Sequence, residues 1–354
     1  MKTQQLLLSI IILTFAMAGL GGINALNAQV RDGRSRPMTF TNPDMHDPVM
    51  AVGEDGRYYI FATGMGVTVM SSSDMDEWRF EKPVLAQAPQ WAMDSVPGYR
   101  GHTWAPDIIY HNGLWHLYYS CSTFGKNGSA IGHAVNKTLD LTSPNFKWED
   151  KGVVIVSHRN IDNWNAIDPN IIIDKRGLPY MTYGSFWDGV QLVQLSEQDM
   201  QTPITKPVTI ARRSVASVDL SKIKFTKEFA GTIEAGDNAI EAPFILKRGK
   251  YYYLFVSFDY CCRGENSTYK TVYGRSKKIT GPFLDKEGRP MEYGGGTYLY
   301  GPDESNFGIG HCSVYEINGE YYFISHAYMK EYDGRSKLFI RKLQFDKKGW
   351  IIAQ

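Results

Sequence analysis

The sequence has little cysteine, no block of like charge and, past residue 28, no long apolar run. Four cysteines in 354 residues, Cys121, Cys261, Cys262 and Cys312, are too few for a disulfide framework. Neither a C-x-x-C nor an H-E-x-x-H spacing occurs, which removes the usual sequence signs of zinc. Lys and Arg number 38 against 37 Asp and Glu, a formal net charge of +1. Nucleic acid and anionic membranes need concentrated cationic surface and are poor partners for such a chain. A neutral polymer or a small molecule fits better. No later segment approaches 18 apolar residues, so the mature chain is not expected to span a membrane. Nothing in the composition demands more than a monomer.

The one long apolar run opens the chain. Residues 1–28, "MKTQQLLLSIIILTFAMAGLGGINALNA", combine a single lysine, a hydrophobic stretch and small residues near the end. That order reads as a secretory signal, followed by a linker over 29–36. The expected product is exported, periplasmic or extracellular. Disulfides persist in such compartments, so adjacent Cys261 and Cys262 could close a ring or remain two thiols at a turn. The sequence leaves both open.

Glycine (34) and tyrosine (22) are abundant, a mix that suits short strands and tight turns. One unit recurs five times: "HDPVMAVGEDGRYYIFATG", "WAPDIIYHNGLWHLYYSCS", "IDPNIIIDKRGLPYMTYGS", "EAPFILKRGKYYYLFVSFD" and "GHCSVYEINGEYYFISHAY". Each opens on a polar or aromatic residue, usually beside proline, then runs strand, glycine turn and aromatic strand. The opening residues Asp47, Trp104, Asp168, Glu241 and His311 lie 57, 64, 73 and 70 positions apart. Each interval has room for two more strands, such as "VTVMSSSD" and "WRFEKPVL" in the first unit. Four-stranded units repeated around an axis form a propeller. The expectation is an all-β, five-bladed β-propeller over residues 37–354, with antiparallel four-stranded blades contiguous in sequence around a central channel.

In a propeller the first strand of each blade lines the channel, and proline is tolerated where it opens a strand. The five opening residues should therefore converge on one funnel. A lone carboxylate at a strand mouth is usually structural; three at repeat-equivalent places are not easily dismissed. Like charges held together push protonation apart, so that one acid keeps its proton while another stays ionised. Glycosidases need that division between a proton donor and a base that activates water. Trp104 adds an apolar plate for a sugar ring. Asp107, past the mouth in "WAPD", reads as a structural or supporting acid.

The segments "HDP", "WAPD", "STFGKNGSAIGHA", "NAIDPN", "GSFW", "EAP" and "GIGH" resemble glycoside hydrolase family 43, most closely its arabinan endo-1,5-α-L-arabinanases, and the likeness runs from about Met45 to His326. The resemblance implies an inverting, endo-acting hydrolase of α-1,5-linked L-arabinofuranosyl bonds in arabinan, the pectin side chain. It makes Asp47 the general base, Glu241 the general acid and Asp168 the carboxylate that orients the acid and raises its pKa. It places His311 near a calcium ion held largely by waters, although "GHCS" departs from the usual "GHNS". It also carries over substrate contacts to Trp104, Asn165, Ala166, Ile167, Ser185, Phe186 and Trp187. Alternatives are an exo-acting arabinofuranosidase or β-xylosidase of the same family, a propeller that binds glycans without cleaving them, and a retaining fructan enzyme. The last expects "RDP" where this chain reads "IDP". The stretch from Ser196 to Ala239 is a candidate wall at one end of the binding groove.

Overall fold

The computed structural model describes residues 38–213 and 238–352. The signal segment, the linker over 29–36 and residues 214–237 of the candidate wall lie outside the described residues.

The chain is all-β. In order it forms β1 (Val49–Val52), β2 (Tyr58–Ala62), β3 (Gly64–Met65), β4 (Thr68–Ser72), β5 (Arg79–Phe80), a short helix α1 (Gln90–Ser95), β6 (His102–His111), β7 (Leu114–Cys121), β8 (Ser129–Asn136) and β9 (Glu149–Ser157). There follow β10 (Asn170–Ile173), β11 (Pro179–Tyr183), β12 (Val190–Gln194), β13 (Val208–Ala211), β14 (Ile240–Arg248), β15 (Tyr251–Phe258), β16 (Lys270–Ser276) and β17 (Thr297–Tyr300). The last unit supplies β18 (Asn306–Ile317), β19 (Glu320–Met329), β20 (Arg335–Phe345) and β21 (Ile351–Ile352).

Each repeat unit pairs its strands antiparallel in chain order, giving β1-β2-β4-β5, β6-β7-β8-β9 and β10-β11-β12-β13 in the first three. Two details differ from five separate four-stranded sheets. Strand β3, from the first unit, joins the second sheet by pairing with β6. The fourth and fifth units share one eight-stranded sheet through a parallel pairing at Lys270 and Ile309. Glycines on both sides of Ile309 allow that approach. A Cβ on Gly308 would stand 3.0 Å from the Tyr269 backbone, and one on Gly310 would stand 2.3 Å from the Tyr269 ring.

The inner strands are apolar on both faces because each faces two cores. In β15, Tyr252, Leu254, Val256 and Phe258 pack toward the third unit, while Tyr253 and Phe255 pack toward the fifth. Side chains alternate across a strand, so "YYYLFVSF" feeds both cores at once. Five such cores join units one to two, two to three, three to four, four to five and five back to one. The last holds Met50, Ile60 and Met70 against Ile324 and Leu338. Buried polar bonds follow the same circuit. Asp107 of β6 accepts from the Ile171 amide (2.6 Å) and Asn170, and Asn170 in turn accepts from the Ile245 amide at 2.8 Å. Asp107 is therefore the structural acid expected. Burial pushes it up to about 7.

Candidate active site

At each unit's mouth one non-glycine residue adopts a left-handed backbone: Asp47 (φ 54°), Ala105 (40°), Asp168 (58°), Ala242 (55°) and His311 (51°). Such a conformation costs an L-residue roughly 1–2 kcal/mol, so five together require compensation. It comes from the preceding unit. The Ala105 amide donates to Thr63 (2.9 Å), Asp168 to Ser120 (2.9 Å), Ala242 to Asp168 (3.1 Å) and His311 to Ser257 (2.8 Å). The Asp47 amide donates to His326 Nδ1 at 3.1 Å, linking the fifth unit to the first.

This geometry corrects the sequence register. Trp104 and Glu241 stand one residue before the shared position, which Ala105 and Ala242 occupy. That position precedes proline in four units, at Asp47, Ala105, Asp168 and Ala242, and strand pairing skips alike at Trp104/Asp107, Glu241/Phe244 and Gly310/Ser313. Glu241 remains at the ring, and its longer side chain reaches in from the residue before.

Asp47, Asp168, Glu241 and His311 come together. His311 Nδ1 lies 3.0 Å from Asp47 Oδ1 and feels the charge of all three acids. Burial alone would lower the His311 imidazole, but Asp47 raises it to about 9. Burial would likewise raise Asp47, yet the His311 charge and bond, with His46, hold its carboxyl well below the usual range. Thr63 also donates to Asp47 Oδ2. Asp168 is set the other way. Burial, then Glu241 and Asp47, push it up to about 8 against the pull of His311. Glu241 accepts from Tyr269 (2.7 Å) on one oxygen and from Ser185 (2.8 Å) on the other.

The expected substrate contacts divide. Trp104 is half-buried, with its indole N–H donating to His102 Nδ1 at 2.8 Å. Ser185 serves Glu241, as described. Phe186 and Trp187 sit half-buried in a left-handed turn (φ 55° and 41°), and the Phe186 ring leans on Tyr260 at 6.1 Å. Gly184 makes that turn possible, since a Cβ there would lie 2.5 Å from the Gly189 carbonyl. Asn165, Ala166 and Ile167 are buried beneath the mouth. Asn165 accepts from Ser129 at 2.7 Å, and the Ala166 amide donates to Ser157 at 2.9 Å.

All four cysteines are thiols, so the adjacent pair is not a ring. His46, Asp47 and His326 converge as metal ligands would. His326 Nδ1, however, already accepts the Asp47 amide. Calcium prefers six to eight oxygen ligands. His311, raised to about 9 beside Asp47, is protonated at neutral pH and has no ring lone pair to give, so the residues fit only an ion carried on waters.

Sequence reasoning missed Tyr269, Ser257, Thr63, His46 and His326. His46 adjoins Asp47 in "HDP". The others lie in second strands or loops of neighbouring units, where no motif points at the mouth they serve.

Residues 39–351 match the glycosyl hydrolases family 43. The chain is 46% identical over 308 residues to an extracellular exo-α-(1→5)-L-arabinofuranosidase of Cellvibrio japonicus, covering 87% of this chain and 85% of the relative. It is 39% identical to an extracellular endo-α-(1→5)-L-arabinanase of Bacillus subtilis, covering 88% of each. Among solved structures, an exo-1,5-α-L-arabinanase from a bovine ruminal metagenomic library shares 57% identity with a TM-score of 0.82, over 89% of this chain and 98% of that one. With a family match across almost the whole described fold and a relative that is 46% identical over 87% of this sequence, the chain belongs to glycoside hydrolase family 43.

Proposed function

We propose that the cyclic arrangement of units is a five-bladed β-propeller whose funnel hydrolyses α-1,5-linked L-arabinofuranosyl bonds of arabinan with inversion. The observation that carries this reading is the split electrostatic setting of one ring: Asp47 is held ionised by His311 while Asp168, beside Glu241, is held protonated. Asp47 takes a proton from the attacking water. Glu241 gives one to the leaving sugar oxygen. Asp168 sits between them, anchored to the Ala242 amide, and fixes the backbone that carries Glu241. Inversion needs room for water, with the two working carboxyls about 6.5–9.5 Å apart.

The motifs favour endo action, but the relatives named exo share 46% and 57% identity and the one named endo 39%. Exo release from chain ends is therefore the preferred reading. Export through residues 1–28 accords with relatives named extracellular, and among the described residues no helix is long and apolar enough to cross a membrane. The enzyme is read as a monomer. Calcium beside His311 belongs to the proposal only in its water-carried form, and melting curves with and without chelator read it.

The decisive experiment is a product time course on debranched linear arabinan, with the anomer followed by NMR. One product size from the first minutes and an inverted anomer are expected. A ladder of sizes with fast loss of viscosity replaces exo by endo action; a retained anomer overturns the mechanism; absence of turnover leaves a glycan-binding propeller.

A further inference from the structure

The acid Glu241 has two carboxyl oxygens, and their surroundings differ in a way that decides where its proton can sit. His311 N–H donates to Ser257 Oγ at 2.8 Å, and an amide nitrogen cannot reverse that bond. Ser257 also lies near enough to Tyr269 to favour the charged form of its phenol. The phenol hydrogen goes to Glu241 Oε1 at 2.7 Å. Tyr269 cannot turn away. It is fully buried, Gly308 and Gly310 press on it, and the His326 ring stacks on it at 5.7 Å and 19°. Burial also drives the phenol far above its ordinary range, so it stays a donor.

Ser185 meets the other oxygen at 2.8 Å on different terms. A hydroxyl rotor can donate to a carboxylate or accept from a carboxylic acid. Ser185 tolerates Oε2 with or without a proton, whereas Tyr269 leaves no place for a proton on Oε1.

We propose that the enclosed Tyr269 phenol locks Glu241 Oε1 as a permanent acceptor, so that the transferable proton is carried on Oε2 beside Ser185. Tyr269 is thus a positioning residue for proton delivery. The inference rests on the reading of Glu241 as general acid.

The test compares Tyr269→Phe with Ser185→Ala in the full-length enzyme, through the pH dependence of kcat/KM on arabino-oligosaccharides. Removing a donor to the charged form raises the acid's pKa. In Tyr269→Phe the alkaline limb should therefore move up by about one pH unit, the scale of a hydrogen bond to a charged group. At neutral pH kcat should fall about tenfold or more, with KM little changed. With an aryl arabinofuranoside, whose leaving group departs without protonation, most of the loss should vanish. Ser185→Ala should move the limb by less than half as much. An unmoved limb in folded Tyr269→Phe, or a larger shift in Ser185→Ala, overturns the proposal. Should Tyr269→Phe not fold, 3-fluorotyrosine at position 269 serves in its place: its more acidic phenol is the stronger donor and should move the limb down, and no shift overturns the proposal. Glu241→Gln separates the two levels: near-normal turnover there removes the acid assignment itself, whereas loss there with an unmoved Tyr269→Phe limb removes only the role of Tyr269.

Discussion

Asp47 and Asp168 look interchangeable in sequence, one in "HDP" and the other in "IDP". Both open a strand and both have a left-handed backbone (φ 54° and 58°); Asp168 is buried and Asp47 half-buried. Their protonation is nonetheless opposed. Asp47 faces His311, His46 and Thr63 and is held well below the usual carboxylate range; Asp168 has the Ala242 amide and two other acids for neighbours and is pushed up to about 8. The repeat supplies position, and the neighbours contributed by other units supply chemistry. Buried histidines elsewhere follow the same rule. His116 and His133 stack at 5.2 Å without a carboxylate against either ring, and burial lowers both, His133 to about 4. With Asp47 beside it, equally enclosed His311 rises to about 9.

The largest effect should come from neutralising each aspartate in turn. Asp47→Asn should lower kcat by about 10²–10⁴-fold, the range for a lost base. Asp168→Asn mimics the protonated acid already present and should cost at least tenfold less at pH 6–7 (an estimate on the same scale). Equal losses in steady-state assays would mean that Asp168 works ionised. Next in size is His311→Gln. Losing the cation that steadies ionised Asp47 should raise the base's pKa, moving the acidic limb of kcat/KM up by about one pH unit or more. An unchanged limb would transfer the control of Asp47 to Thr63 and His46.

The smallest effect is on stability and runs with pH. Folded Asp168 keeps its proton up to about pH 8, whereas its ordinary value is 3.8. Between those values the folded state binds more protons than the unfolded chain, so wild-type stability falls as pH rises. Asp168→Asn removes that dependence. Its Tm should match wild type near pH 4 and exceed it by on the order of a few degrees near pH 8. A Tm difference that does not grow with pH would show that Asp168 is not the group titrating there.

How much was legible depends on distance along the chain. Asp107 was readable as structural because it follows the mouth inside an apolar strand. For Asn165, Ala166 and Ile167 the motif marks a place without marking which face is open. Ser129 and Ser157, from the adjacent unit, hold the Asn165 side chain and the Ala166 amide. The one-residue offset of Glu241 is legible in the sequence, since Pro243 follows Ala242 as Pro48 follows Asp47 and Pro169 follows Asp168.

The sequence by itself determined the strand units, their number, the acids at their mouths and the family. These are local or periodic properties, carried by side-chain alternation and by proline and glycine at fixed offsets. Only the tertiary structure decided which acid is ionised, which keeps its proton and which oxygen of Glu241 is pinned. Those outcomes depend on charges and donors a few ångströms away in space but 28 residues away in sequence for Tyr269 on Glu241, 56 for Ser185 on Glu241 and 279 for His326 on Asp47. Electrostatic energy falls with distance in space, whatever the separation along the chain.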